Sequence, residues 1–293
     1  MKIVKQRPIW FSVSGILMVA SVVLLAVYGL NLSIDFTGGS ILEVEYTEER
    51  AEIAEIRTVV EEAGFVGGNV QPSDERGLLV RQPPLTEDQH QELLGVLETF
   101  GELEELRFDS IGPVIGEELK RKSVWALVLI FVAIIAYVAW SFRKVGQQVK
   151  SWKYGLLTIV AALHDVMITL GVAALLGHLL DLSVGTAFVA ALLTILGYSV
   201  NDTIVVFDRI RENLRKDHGN FEATVGLSVK ETIARSINTS ITTFLALLAV
   251  YIFGGETTKE FALILMVGIL AGAYSSIFLA SPLLVTWQKW SDK

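Results

Sequence analysis

The sequence predicts a membrane α-helical bundle of six transmembrane helices, with a small α+β, ferredoxin-like domain outside the membrane between the first two. Hydrophobic residues make up 52% of the 293 residues, and they are gathered into long runs with few or no charges. Residues 31–122 break these runs and hold 21 acidic but only 8 basic residues. An apolar run of about 20 residues is long enough to cross a bilayer as a helix.

The predicted spans divide the chain into residues 1–30, 31–122 and 123–293. The first apolar run, residues 9–30, is too long for the core of a cleaved signal peptide, so we expect a retained helix. Between the fourth and fifth spans, apolar residues recur every four positions from Phe221 to Ile233, which predicts a surface-lying amphipathic helix. The other spans are expected at 123–142, 154–176, about 182–207, 237–255 and 261–288.

The acidic segment has its own alternation of strand and helix patterns. Strands are predicted at 41–46, 69–71, 78–81 and 103–108, and helices at 47–63, with Thr47 as the cap, and at 86–100. The resulting order β-α-β-β-α-β is that of a ferredoxin-like domain.

Glycine marks both joints between this domain and the membrane helices. The segment IDFTGGS carries Gly38 and Gly39, and the returning chain carries Gly112 and Pro113. A phosphate-binding loop is the alternative for the first segment, but no GKS or GKT follows it. We therefore interpret both joints as turns or hinges.

Charge orients the predicted bundle. The inner segments hold 15 Lys and Arg residues, whereas the two short outer turns hold only Lys259. The positive-inside rule therefore places both termini in the cytoplasm and the acidic domain outside. In the last span, Gly268, Gly272 and Ser276 put small residues every four positions, which favours close helix packing.

Asp202 is the main candidate for a functional residue, because an ionisable side chain within a span costs about 2.5–3.5 kcal/mol on insertion scales. Counting back four residues at a time gives Tyr198 and Thr194, so this helix is predicted to have a polar face, with Asn201 beside Asp202. Proton or ion handling is one interpretation, and a structural polar contact is the other.

Two further ionisable residues join this candidate site. Arg235 precedes the fifth span at a depth similar to that of Asp202, with Asn238 and Thr239 close by on the helix, so an Asp202–Arg235 pair is geometrically allowed. Asp165 lies near the middle of the third span, next to His164, which we interpret as a packed histidine. An Arg that approaches or leaves a buried carboxylate changes its proton affinity, and this change can couple proton passage to movement.

Several classes of function find no support in the sequence. The chain has no cysteine and only four scattered histidines, so neither a dedicated metal site nor a bound cofactor is predicted. No nucleophile–base pair or nucleotide-binding loop indicates an enzyme, and no nucleic-acid partner is expected.

Several motifs give the chain a clear resemblance. They are IDFTGGS, GPVIGEELKRKS, LHDV, GYSVNDTIVVFDRIREN and RSINTSITT. In this order they resemble the SecF family, whose members are membrane subunits of bacterial Sec protein export and relatives of the resistance-nodulation-division transporters. The resemblance implies a place in the bacterial cytoplasmic (inner) membrane, SecD and the SecYEG channel as partners, and exported unfolded polypeptide as cargo.

The resemblance also implies use of the proton-motive force. In SecF proteins, the Asp of VNDT and the Arg of RSINTS are associated with proton transport, and these match Asp202 and Arg235. Sodium is the alternative ion. A half-transporter for a small molecule or lipid and a passive scaffold subunit are the alternative functions.

Overall fold

The computed structural model describes residues 2–73, 75–141, 149–216 and 220–291. Six of the helices in these ranges are long and apolar enough to cross a membrane, which confirms the predicted number of spans. The chain divides into two compact units, Met1–Asn31 with Trp125–Lys293, and Leu32–Val124. The basic residues at 143, 144 and 293 that entered the predicted orientation lie outside the described residues.

The helices of the whole chain are numbered in order. They are α1 (Lys2–Lys5), α2 (Arg7–Tyr28), α3 (Ile34–Thr37), α4 (Ile53–Glu62), α5 (Glu87–Glu98), α6 (Pro113–Ser141), α7 (Ser151–Leu180), α8 (Thr186–Lys216), α9 (Phe221–Phe253), α10 (Glu256–Tyr274) and α11 (Ser281–Ser291). A π-helix, Ser275–Ala280, joins α10 to α11. The strands are β1 (Gly39–Tyr46), β2 (Asn69–Pro72), β3 (Gly77–Gln82) and β4 (Leu103–Ile111).

The predicted surface helix near 221–233 and the predicted fifth span are one helix, so their separation in the sequence analysis was wrong. α9 runs without a break from Phe221 to Phe253, because neither Gly nor Pro interrupts the stretch that joins the two patterns. Asn220 caps it, since its side-chain oxygen accepts hydrogen bonds from the backbone N–H groups of Glu222 and Ala223. The second span likewise begins earlier than predicted, at Pro113, a residue suited to the first turn of a helix.

The last span changes its helical type half-way. Pro282 has no backbone N–H and its ring crowds the carbonyl four residues earlier, so an ordinary α-helix is disfavoured there. The π-helix Ser275–Ala280 lies directly before this proline. Proline and π-helical turns are recognised causes of such irregularity, and π-helical turns are frequent at functional sites.

The small residues of the last span pack on α8, as the spacing predicts. A Cβ atom on Gly268 would lie 2.2 Å from the side chain of Ile195, and one on Gly272 would lie 3.2 Å from Ser199. One turn further, Ser276 and Thr203 share a hydrogen bond of 3.0 Å. Both series advance by four residues, so the two helices run in the same direction in close contact.

The smaller unit contains the predicted βαββαβ order. Its four strands form one antiparallel sheet in the order β2-β3-β1-β4. This arrangement confirms the ferredoxin-like fold. Its core is made of strand and helix side chains, which include Leu42, Val44, Ile56, Leu78 and Leu93.

The first helix of this unit is shorter than predicted. Thr47 does not cap it, because the Thr47 backbone N–H donates to the carbonyl of Glu102 and so continues the pairing beyond β1. The helix begins at Ile53, with Glu52 in the N-cap position. The second helix has a full capping box between Thr86 and Gln89.

Candidate functional site

Asp202 lies inside the membrane unit, on the face of α8 that is packed against other helices. Its side chain is buried, and Oδ1 accepts a hydrogen bond of 2.6 Å from the Ser236 hydroxyl on α9. Oδ2 is also buried and has no hydrogen-bond partner among the described residues. A buried polar atom without a hydrogen-bond partner lowers the stability of the fold, which makes Asp202 an unusual residue in this bundle.

Asp165 is fully buried on α7 and has three hydrogen-bond partners. Oδ2 accepts from the hydroxyls of Ser199, at 2.5 Å, and Ser275, at 2.7 Å. Oδ1 lies 2.9 Å from Nδ1 of His164. The His164 ring stacks beside Tyr274, with 6.1 Å between ring centroids, so this histidine is packed, as the sequence analysis interpreted it.

The two carboxylates belong to one buried polar cluster. Asp202 is close enough to Asp165 to interact with it electrostatically. Ser275 donates to Asp165, and the next residue, Ser276, shares a hydrogen bond of 3.0 Å with Thr203, which follows Asp202 on α8. The structure therefore brings together two of the predicted ionisable residues through serines that the sequence analysis did not select.

Arg235 lies near this cluster but outside its hydrogen-bond network. Its side chain is exposed on α9, and within the described part of the chain it forms no ion pair with Asp202. It does interact electrostatically with Asp202 over a longer distance. The neighbouring residue Ser236 makes the direct contact, because consecutive helical residues point about 100° apart.

A polar cavity of about 530 Å³ lies next to Arg235. It is bounded by α8 and α9, with Ser141 of α6 at one side. Its charged lining residues are Asp208, Arg209, Arg211, Glu212, Glu231 and Arg235. A charged lining of this kind is hydrated, so Arg235 contacts water in the cavity. Ser236, the next residue, contacts the buried carboxylate of Asp202.

The predicted polar face is divided between the interior and the surface of the unit. Tyr198 is half-buried, and its hydroxyl lies 3.5 Å from that of Ser240 on α9. Thr194, Asn201, Asn238 and Thr239 are exposed. The exposed residues therefore form a polar surface on α8 and α9, and they do not surround Asp202.

The predicted hinge residues lie together in the smaller unit. Gly38 has φ +74°, and a Cβ atom there would lie 2.8 Å from Cα of Pro113. Gly39 has φ +141° and lies against the carbonyl of Gln82. Gly112 and Pro113 join the end of β4 to the start of α6. The glycines are required by backbone shape and close approach, and their hinge role stays a prediction.

Four serines complete the site, and the sequence analysis missed three of them. Ser199, Ser236 and Ser275 each donate to a buried carboxylate. Ser276 was noted only as a small packing residue. A usable signal was present, since Ser199 lies three residues before Asp202, Ser236 directly follows Arg235, and Ser275 directly precedes Ser276. Among the described residues, no group of three or more His, Asp or Glu side chains could hold a metal ion.

Comparison with protein-family models gives two matches. Residues 94–290 match the family "Protein export membrane protein SecD/SecF, C-terminal", and residues 23–49 match the "SecD/SecF GG Motif". The first match covers more than half of the chain, and the second includes Gly38 and Gly39.

Whole-chain relatives agree with these family matches. The chain is 40% identical to protein translocase subunit SecF of Thermobaculum terrenum, over 98% of this chain and 93% of that protein. It is 37% identical to the SecF subunit of Anaerolinea thermophila, over 98% of this chain and 94% of that protein.

The chain belongs to the SecF family. Its fold is also similar to the crystal structure of SecDF, a translocon-associated membrane protein from Thermus thermophilus, with a TM-score of 0.87 and 34% identity. That match covers 99% of this chain and 39% of the longer SecDF chain. A second structure, of SecDF in a super-membrane-facing form, matches with a TM-score of 0.70 and 36% identity. Family membership and the six apolar helices make the chain a multi-pass membrane subunit of a protein translocase.

Proposed function

We propose that this chain uses the proton-motive force to promote late stages of polypeptide export across the bacterial cytoplasmic membrane. The observation that carries the proposal is the pair of buried carboxylates, Asp165 and Asp202, inside the membrane helix bundle. Intramembrane ionisable residues that face a bundle interior commonly mark ion or proton pathways. A proton that crosses the membrane releases about 2.3 kcal/mol per 100 mV.

In this proposal, Asp202 takes up and releases the proton, and Asp165 and Arg235 modulate it. The polar cavity beside Arg235 supplies water on one side of the cluster. Arg235 is held near the carboxylate without an ion pair, so a small movement of α9 relative to α8 would change their interaction. Because an arginine close to a carboxylate favours its ionised form, such movement would change when the proton leaves.

The proposed partners are SecD, the SecYEG channel and the exported unfolded polypeptide. SecD is the partner best supported, since the Thermus thermophilus relative is a SecDF protein. The exposed polar residues of α8 and α9 support a second membrane subunit at this surface, because lipid offers them no hydrogen bonds. These residues are Thr194, Asn201, Asn238 and Thr239. Both termini are proposed to lie in the cytoplasm, and the smaller unit outside.

The test is Asp202→Asn in membrane vesicles that contain the chain and its co-purified partner. Asparagine keeps the size and the hydrogen-bonding capacity of the side chain but cannot be ionised. We expect normal assembly and loss of the export stimulation that depends on the proton-motive force. Asp109→Asn is the matched control, because Asp109 is on β4 of the smaller unit and its side chain is 40% exposed. Normal stimulation by the assembled Asp202→Asn complex would leave only a scaffold role.

Two further variants refine the proposal. Arg235→Lys keeps the positive charge but loses the planar guanidinium, so we expect a partial defect in the same assay. Asp165→Asn tests the second buried carboxylate in the same assay. Asp165 has three hydrogen-bond partners, so its replacement is expected to disrupt packing as well, and the assembled fraction is measured along with export.

A further inference from the structure

His164 is a buried titratable residue that the proposed function does not use. Its side chain is 4% exposed, and the side chain of Asp165 beside it is fully buried. Nδ1 of the His164 ring lies 2.9 Å from Oδ1 of Asp165, so the two side chains share a hydrogen bond. Nε2, the other ring nitrogen, is also buried and has no hydrogen-bond partner among the described residues.

Two serines leave Asp165 only one oxygen on which a proton can be carried. Oδ2 accepts hydrogen bonds from the hydroxyls of Ser199, at 2.5 Å, and Ser275, at 2.7 Å. An oxygen that accepts from two donors has no free position for a proton of its own, so a proton on this carboxyl group belongs on Oδ1. Oδ1 faces Nδ1 of His164, and the histidine ring is therefore the group that can deliver this proton.

Tyr274 of α10 restricts the His164 ring without binding Nε2. The two rings are stacked within 23° of parallel, with 6.1 Å between their centroids. The Tyr274 hydroxyl donates at 2.9 Å to the carbonyl of Trp10 on α2 and lies 3.2 Å from the hydroxyl of Ser14. This hydroxyl is therefore engaged with α2, and the orientation of the histidine ring is fixed by packing.

We propose that His164 is the proton-exchange group of Asp165. A proton that arrives from water binds Nε2 and forms an N–H bond there, while the N–H bond at Nδ1 breaks and its proton passes to Oδ1. The carboxylate becomes a neutral carboxyl group, and the imidazole ends neutral in its other tautomer. One proton has then been taken up, and the same steps in reverse order release it.

This exchange is compatible with the burial of both side chains. An ionised Asp165 beside a neutral imidazole carries one negative charge, which is costly in a buried site, whereas the filled pair carries none. Oδ2 keeps its two serine donors in both states, and the hydrogen bond between Nδ1 and Oδ1 only reverses its direction. Proton uptake therefore requires no rearrangement of either side chain.

The other titratable and charged groups near the pair come from three helices. Tyr274 of α10 stacks on His164, and Asp202 of α8 interacts electrostatically with Asp165. Arg235 of α9 acts on Asp202 in turn. The π-helix contributes a serine hydroxyl, and the α2 groups next to Tyr274 are a serine hydroxyl and a backbone carbonyl, none of which titrates.

The inference rests on the proposed proton-driven function and adds a residue to it. Carboxylates that interact titrate as a coupled pair, so a proton on Asp165 changes the proton affinity of Asp202. By filling and emptying Asp165, His164 would regulate the proton that Asp202 takes up and releases.

The first test is nuclear magnetic resonance of the full chain in lipid vesicles, labelled with ¹⁵N at histidine. The chain has four histidines, and the difference from the spectrum of His164→Asn isolates the signals of His164. Ring nitrogens with and without a proton give well-separated ¹⁵N signals. We expect Nε2 of His164 to gain a proton as the pH is lowered, and we expect this change to be lost in Asp165→Asn. An Nε2 that stays in one state at every pH, or that changes equally in Asp165→Asn, would overturn the inference.

The second test is export stimulation by the proton-motive force in vesicles that contain the full chain with its partner. The amide nitrogen of asparagine can replace Nδ1 as a donor to Asp165, but asparagine has no second ring nitrogen. We therefore expect His164→Asn to assemble normally and to lose the stimulation. Full stimulation by this variant would show that His164 only holds Asp165 in place, and the inference would be wrong. If the variant does not assemble, the resonance comparison of the parent with Asp165→Asn decides.

His178→Asn is the matched control in the export assay. His178 is also on α7 and is also stacked on a tyrosine, with 4.2 Å between its ring centroid and that of Tyr28, but it is exposed. We expect this variant to keep the stimulation of the parent. Equal losses in His164→Asn and His178→Asn would indicate a general effect of losing a histidine from this helix and would overturn the inference.

Asp202→Asn in the same vesicles separates the two levels of the proposal. If Asp202→Asn is inactive while His164→Asn is fully active, the proposed function stands and the inference about His164 is refuted. If Asp202→Asn supports normal stimulation, the proposed function fails, and the resonance experiment alone decides whether His164 and Asp165 exchange a proton.

Discussion

Gly38→Ala tests whether the joint of the smaller unit is fixed by backbone contact. Gly38 has φ +74°, and a Cβ atom there would lie 2.8 Å from Cα and 3.0 Å from N of Pro113. Both are backbone atoms and cannot rotate away. The left-handed conformation costs an alanine about 1–2 kcal/mol, and overpacking adds about 1–3 kcal/mol. We therefore expect Gly38→Ala to lower the free energy of unfolding by about 2–5 kcal/mol.

Gly67→Ala is the matched control. Gly67 also has a left-handed backbone, with φ +86°, but a Cβ atom there would meet nothing within 4 Å. This variant should lower the free energy of unfolding only by the cost of the left-handed backbone conformation, about 1–2 kcal/mol. The difference between the two variants isolates the contact between Gly38 and Pro113.

The assay is urea unfolding of a fragment covering residues 32–122, followed by circular dichroism. We expect the fragment to fold alone, because this unit has its own buried core of eleven residues. If the fragment is unfolded, the same variants are compared in the full chain by protease sensitivity of the smaller unit. Equal losses for Gly38→Ala and Gly67→Ala would refute the claim that Pro113 restricts this joint.

Two other predictions concern single contacts. The Tyr46 hydroxyl donates a hydrogen bond to the carbonyl of Leu97, and burial raises the pKa of Tyr46 to about 12. The stabilisation of the fold by the neutral Tyr46 side chain is therefore complete below pH about 10 and is lost as the pH rises through about 12. Alkaline unfolding of the fragment should therefore start at higher pH in Tyr46→Phe, and an unchanged transition would contradict this. Gly268→Ala places a Cβ atom 2.2 Å from the side chain of Ile195, so we expect it to destabilise the helix packing and to leave less monodisperse protein after heating in detergent. Gly197→Ala is the control, because a Cβ atom there would meet nothing within 4 Å, and it should behave like the parent.

The membrane spans and the close helix packing could be predicted because each depends on a local pattern. A long apolar run is enough to indicate a span, and glycines every four residues are enough to indicate a close contact. The partner of that contact, Ile195 on α8, could not be predicted, because the pattern of one helix does not say which helix faces it.

The position of Asp202 could be predicted, but its direct contact could not. The sequence places Arg235 and Ser236 at the same depth, and the rotation of α9 about its axis decides which of them meets the carboxylate. That rotation is set by packing along the whole helix. The π-helix was missed for a related reason, since Pro282 indicates an irregularity but not its type.

The continuous helix α9 was missed because two different surface patterns were interpreted as two elements. In the first half of α9, apolar side chains recur every four residues among polar ones, as in an amphipathic surface helix. The second half is mostly apolar. A change of environment along a helix changes the pattern of its side chains without interrupting the backbone hydrogen bonds.

The exposed polar surface of α8 and α9 also has a consequence for the supply of this protein in the cell. A newly made copy that has not met its partner must place Asn201 and Asn238 against lipid or leave these helices imperfectly inserted. Lipid offers their amide groups no hydrogen-bond partner, so this exposure costs free energy. The cost is removed when a partner covers the surface. Unpartnered copies are therefore the least stable form in the membrane and the natural target of membrane proteases, so the amount of this subunit should follow the amount of its partner.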